Sequence, residues 1–311
     1  MERQLILRNS TGVRKSKRNY VIIPLLILLL AAGGVFGIAG YTGWNLTHPV
    51  RLALEKNPQD VGLSFENVEF PSRYDSLAIK GWLIPAQNSD KTIIFAHGYR
   101  RNRADDDIPM LNLARDLVDR GYNVLLFDFR NSGESGGNLT TVGQLEVRDL
   151  LGAVDYIKAK PEISRKIILL GFSMGATTSL LAGAREPEVD AVIADSPFAN
   201  MRSYLEENLS VWTDLPSFPF NQAFFIIVPM LTGLDPDQVS PINEITSFKG
   251  RPVLLIHGTA DSKIPIANSE DLLEVYPQAQ LVKIPDSDHC DSYHDHRNLY
   301  IKTLENFLAS V

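Results

Sequence analysis

Lys166–Ala184 reads KIILLGFSMGATTSLLAGA, and this stretch decides the fold. Ile167 to Leu170 is a continuous apolar run, the pattern of a strand buried on both faces. Met174 to Ala184 reads as a helix. Ser173 stands alone between them, flanked two residues away on either side by Gly171 and Gly175. A strand that turns into a helix across one serine lifts that hydroxyl out of the sheet. A Cβ at either glycine position would collide with the neighbouring strand or helix. The free N–H groups and positive dipole end of the helix then face any charge that develops beside the serine. The pattern G-x-S-x-G recurs at Gly133–Gly137 around Ser135. No strand-to-helix corner accompanies that copy, so Ser173 is the nucleophile candidate.

Working outward, strands and helices alternate on both sides. Leu63–Phe70 and Leu77–Ile84 read as an antiparallel pair at the sheet edge. Short apolar strands follow at Thr92–Ala96, Asn123–Phe127, Ala191–Ala194, Pro252–Ile256 and Gln280–Ile284. Helices are expected at Pro109–Arg120, Val142–Lys158, Ser269–Val275 and Tyr293–Ala309. This alternation predicts an α/β fold with a mostly parallel sheet covered on both faces. About 55 residues separate two consecutive strands, from Pro197 to Gly250, which is too long for a simple loop. They include Phe218–Thr232, an apolar stretch punctuated by prolines, and read as a helical cap at about 197–250.

A serine hydroxyl needs an adjacent base. His289 follows the last strand, as the order Ser, then Asp or Glu, then His requires. His294 and His296 are the alternatives. Asp261, after the strand Pro252–Ile256, is the expected partner of the imidazole, with Asp195 as the alternative. The backbone N–H groups of Tyr99 and Met174 are the expected oxyanion donors. The cluster DSDHCDSYHDH offers Asp286, Asp288, His289, Asp291 and His294 as metal ligands, but its spacing matches no metal-binding pattern. No metal or other cofactor is expected. Arg100, Arg101 and Arg103 read as a solvated loop balanced by Asp105, Asp106 and Asp107, with a substrate clamp as the other reading. Asp128 and Arg130 read as braces between loops, and Cys290 as a packed thiol.

Tyr20–Tyr41 holds 22 residues without a charge, enough for a helix to cross a bilayer. Residues 1–19 carry six cations against one anion, while the whole chain of 311 residues carries −7. That asymmetry predicts a cytoplasmic N-terminus and a body on the other side of a cell membrane. A cleaved signal peptide with its cut near Gly37–Gly40 is the rival reading. Residues 42–60 read as a juxtamembrane linker and 61–311 as the globular domain. The acidic body argues against nucleic acid as a partner. With only Cys290, an internal disulfide and a cysteine-based zinc site are excluded.

Five segments together resemble the α/β-hydrolase superfamily. They are H-G-Y-R at His97, D-F-R-N-S-G-E-S at Asp128, G-F-S-M-G at Ser173, H-G-T-A-D at Asp261 and S-D-H at Ser287–His289. The chain is most similar to the branch described as serine aminopeptidase-like, lysophospholipase-like or BEM-type membrane-anchored hydrolases. The resemblance implies an eight-stranded sheet with a cap, a Ser173–Asp261–His289 triad and often an N-terminal anchor. It leaves the substrate open among esters, thioesters and amides. A small or lipid-like carboxylic ester is the expected substrate. A peptidase, or a non-catalytic binding protein of the same fold, is the alternative.

Overall fold

The computed structural model describes residues 19–311; residues 1–18, most of the basic tail, lie outside the described part. The chain opens with helix α1 (Asn19–Thr47), then strands β1 (Glu66–Pro71), β2 (Ala78–Ile84) and β3 (Lys91–Ala96). Helix α2 (Met110–Val118), β4 (Asn123–Phe127), α3 (Glu146–Lys158), β5 (Lys166–Phe172), α4 (Met174–Arg185) and β6 (Ala191–Asp195) alternate after it. The cap follows as α5 (Met201–Trp212), α6 (Ser217–Thr232) and the short α7 (Pro241–Glu244). The domain closes with β7 (Val253–Gly258), α8 (Ala267–Val275), β8 (Gln280–Ile284), α9 (Ser292–Asp295) and α10 (Arg297–Leu308).

All eight strands form one sheet in the order β1-β2-β4-β3-β5-β6-β7-β8. β1–β2 and β2–β4 are antiparallel, and the remaining pairs are parallel. The central strands are mostly apolar, yet the period of two persists in which face each residue covers. In β5, Ile167 and Leu169 join the core under α3 and α4, while Ile168, Leu170 and Phe172 join the core under α2 and α10. Two cores, one per face, hold the sheet rigid and bring the carboxyl ends of β3, β5, β7 and β8 to one rim. In open α/β sheets that rim is where ligands bind.

Three expectations change. The helix that begins the described chain runs through Thr42–Thr47, so the linker starts later than residue 42. Its continuation is also tied down: Arg51 donates to the Ser135 and Gly137 carbonyls, and Asn102 donates to those of Leu52 and Ala53. In the cap, α6 kinks at Phe218, where φ −103°, ψ 133° is not helical, while Pro229 sits within helical backbone, so that proline does not break the apolar stretch. The final helix is split, because His296 leaves helical geometry at φ −129°, ψ 46°. The break lets Arg297 at the start of α10 pair with Asp116 of α2.

Candidate active site

Ser173 occupies the corner between β5 and α4 at φ 52°, ψ −115°. A non-glycine residue held there costs about 1–3 kcal/mol, so the surrounding structure must enforce it. The enforcement is visible at the two glycines. A Cβ on Gly171 would lie 2.2 Å from the Gly175 carbonyl oxygen, and one on Gly175 would lie 2.0 Å from that of Ala96. The Ser173 N–H donates to the Asp195 carbonyl at 2.9 Å, which ties the corner to β6.

The Ser173 hydroxyl does not cap its own helix. It lies 2.9 Å from His289 Nε2, and His289 Nδ1 lies 2.8 Å from Asp261 Oδ2. His289 comes from the loop after β8, and Asp261 from the turn after β7. The other Asp261 oxygen accepts the N–H groups of Lys263 and Ile264. Burial opposes the Asp261 charge, but the hydrogen bonds from His257 and His289 outweigh it and hold the carboxyl well below its usual range. An ionised Asp261 accepts at Nδ1–H, which leaves Nε2 free to take a proton from Ser173.

Gly98 lies beside the serine, with its Cβ direction 3.8 Å from Ser173 Cβ. The Tyr99 N–H follows directly. Met174 is the first residue of α4, so its N–H has no partner within the helix. Tyr99 and Met174, the residues of the two expected oxyanion donors, line the narrow cleft together with Ser173.

The alternatives lie elsewhere. The Asp195 carboxylate is buried, touches Ser196 and meets no imidazole by hydrogen bond; burial raises its pKa to about 6. His294 is exposed and pairs with Asp295. Asp288 accepts from the Ser262 and His289 N–H groups, so it shapes a turn. Among the described residues no group of three or more His, Cys, Asp or Glu is placed to hold a metal. Ser135 is a brace: it donates to the Asp128 carbonyl and accepts from the Lys80 N–H. Cys290 is buried, and burial pushes its thiol up, away from reactivity.

The arginine loop divides. Arg101 pairs with Asp105 and Asp107, and Arg100 is exposed over the Tyr99 ring. Arg103 overturns the solvated reading. It is 2% exposed, pairs with Asp128 at 2.8 Å and with Glu134, and stacks 4.2 Å over the Trp82 ring. Arg130 pairs with Asp149 and Asp75. Asp128 and Arg130 therefore brace loops through other partners, not through each other.

Ser173 stands where two clefts meet. One is narrow, about 70 Å³, and its lining carries no charged side chain; it includes Met201, Leu205, Leu209, Phe224 and Leu46. The other is about 790 Å³ and polar, lined by Arg100, Arg101, Lys263, Asp288 and His289 among others. Of the apolar residues of α6 only Phe224 lines the narrow cleft; Phe218 and Ile226 are exposed. His257 was not singled out by sequence reasoning beyond its place at a strand end. It packs under Asp261, with Nδ1 2.8 Å from Ser269 Oγ and Nε2 2.9 Å from the Ile264 carbonyl. The signal was its four-residue spacing from Asp261 across a tight turn.

Residues 87–240 match the family model described as "Serine aminopeptidase, S33". The YqkD protein of Bacillus subtilis is 35% identical over 263 residues, covering 82% of this chain and 84% of its own. The YfhR protein of Escherichia coli K12 is 30% identical over 258 residues, 80% of this chain and 82% of its own. The solved structure of the Pyrococcus furiosus esterase Pf2001 superposes with a TM-score of 0.72 at 29% identity. It covers 85% of this chain and 98% of its own. The chain belongs to the α/β-hydrolase superfamily, as a serine hydrolase of the serine aminopeptidase S33 family.

Proposed function

We propose that this enzyme is a membrane-anchored esterase that works through Ser173, His289 and Asp261. Ser173 Oγ attacks the ester carbonyl while His289 Nε2 takes its proton. The Tyr99 and Met174 N–H groups hold the oxyanion. His289 then returns the proton to the departing alcohol, leaving an acyl group on Ser173. Water, deprotonated by the same imidazole, releases the acid and restores the hydroxyl. The observation that carries this reading is the unbroken line from Ser173 Oγ through His289 to Asp261, at 2.9 and 2.8 Å.

The lining of the two clefts favours an ester with an apolar acyl group and a polar alcohol. A peptidase that recognises a free α-amine would need a carboxylate beside the nucleophile on the acyl side, and that cleft has none. The likeness to an esterase points the same way. The test is labelling with a fluorophosphonate. Wild type should label and Ser173→Ala should not; equal labelling refutes the assignment. A panel of p-nitrophenyl esters run beside aminoacyl anilides then separates the two substrate classes.

The anchor reading has α1 retained, with its N-terminus cytoplasmic and the domain outside. The end of α1 is built into the folded domain. Its Leu46 carbonyl accepts from the Tyr99 hydroxyl and its Thr47 carbonyl from the Thr140 N–H. A leader removed at Gly37–Gly40 would take away part of a packed element. Protein that stays in the membrane pellet after carbonate washing, with an intact N-terminal segment, supports the anchor. A mature protein that starts after Gly40 sinks it.

A further inference from the structure

We propose that α6 is a second bilayer element. Its C-terminal half lies against the end of α1 in the outer hydrocarbon layer, and the narrow cleft takes its acyl chain from that leaflet. This deepens the esterase reading and rests on α1 as a membrane span.

From Val21 to Gly34, α1 is exposed on every side. Beyond that point one stripe is covered, with Ala39, Gly40, Gly43 and Thr47 buried. The covering element is α6. Ile227 and Leu231 sit over Gly40, and Val228 sits over Gly43 so closely that a Cβ there would lie 2.1 Å from its methyl carbon. Later α1 residues meet earlier α6 residues, so the two helices run antiparallel. A bilayer core of about 30 Å takes about 20 helical residues. Counted from Val21, that length ends at Gly40. The α6 turn around Ile227–Leu231 is therefore level with the last turn of the span.

The outward face of this turn is apolar as well. Ile226 is 54% exposed and Met230 is 77% exposed. Ala223–Leu231 contains no polar residue at all. A helix that is apolar all round is not one that faces water, and a patch of this kind marks an interaction surface. Its occupant is the bilayer, because the patch is continuous with the lipid-facing surface of α1. The narrow cleft begins at the same junction. Leu46 and Thr47 of α1 form one wall, Phe224 of α6 and Leu234 just beyond it form another, and Ser173 lies within.

The test uses the full chain in phosphatidylethanolamine–phosphatidylglycerol vesicles. An environment-sensitive fluorophore is attached to Leu28→Cys, Met230→Cys or Glu274→Cys; buried Cys290 stays unlabelled. Lipids brominated on their acyl chains should quench the label at 28 and at 230, but not at 274. Quenching at 28 alone overturns the inference and leaves the anchor standing. Quenching at neither 28 nor 230 removes both. In the second arm, Ile226→Ser combined with Met230→Ser should slow hydrolysis of 4-methylumbelliferyl oleate dispersed in vesicles by about tenfold. Soluble p-nitrophenyl butyrate should stay within about twofold of wild type, as for other exposed substitutions. No loss on the vesicle substrate, or equal loss on both, overturns the inference.

Discussion

The buried His257 imidazole points Nε2 at Asp261 Oδ2 across 3.2 Å, the same oxygen that meets His289. The Ile264 carbonyl can only accept, so Nε2 carries the hydrogen, and Nδ1 accepts from Ser269. His257 is a positioning residue that acts on the imidazole of His289 through a shared carboxylate. His257→Phe should lower kcat about tenfold with KM little changed, and His257→Gln should recover part of the loss. A KM effect alone would contradict this role.

The same network fixes the sign of one pH effect. The depressed Asp261 carboxyl contributes stability that is present above its unfolded pKa of about 3.9 and is lost only as pH falls through its lower folded value. Asp261 therefore stays ionised across the working range and does not set the acid limb of kcat/KM. Asp261→Asn should lower kcat by about 10³–10⁴-fold, because the imidazole loses the acceptor that fixes its tautomer. A loss below about tenfold in kcat measurements would remove Asp261 from the mechanism.

Asp195 carries the opposite sign. Burial raises its pKa to about 6, and one oxygen has no hydrogen-bond partner. A raised carboxyl costs stability when both states are ionised, above about pH 6. The cost fades as pH falls from there toward the unfolded value of about 3.9. Asp195→Asn should therefore stabilise the protein at pH 8 by about 1–3 kcal/mol and much less at pH 4.5. Thermal melts at the two pH values check this; a loss of stability at pH 8 would mean that the charge is needed.

Much of the fold and site was legible because the signals are local. The Ser173 corner is written within eleven residues. Asp261 and His289 could be picked by chain order, since each follows one of the last two strands, and His289 lies against Ser173 with Asp261 behind its ring. What escaped depends on partners far away in sequence. Arg103 looks like one of three loop cations until Asp128, 25 residues on, is folded beneath it. The end of α1 looked like a linker because hydropathy falls after Tyr41. Helix geometry continues to Thr47 because Ala39, Gly40 and Gly43 pack against a cap helix nearly two hundred residues later. The break at His296 has no glycine or proline to announce it; the Arg297–Asp116 pair sets its direction.

Arg103 yields a stability prediction for that reason. Asp128 is fully buried and accepts from the Arg103 N–H, the Arg103 guanidinium and the Glu134 N–H. Arg103→Ala leaves that carboxylate without its counter-charge and should cost about 3–5 kcal/mol. Arg103→Ala combined with Asp128→Asn should cost less than Arg103→Ala alone, because no buried charge then stands unpaired. Urea unfolding of the two variants decides it: equal costs would mean that the stacking on Trp82, not the ion pair, holds the loop.

The narrow cleft makes the final prediction. Leu205 lines it without touching Asp261 or His289 by hydrogen bond, and it is only partly buried, so a larger side chain can be accommodated without unfolding the cap. Leu205→Trp would occupy space that a longer acyl chain needs while leaving the carbonyl position beside Ser173 open. A methylene in an apolar pocket is worth about 1–3 kcal/mol, so blocking a few of them has a large effect on long chains and almost none on acetate. The ratio of kcat/KM for p-nitrophenyl octanoate over acetate should fall at least about tenfold in this variant. If the ratio holds, the acyl chain runs instead into the polar cleft, and the alcohol occupies the space beneath the cap.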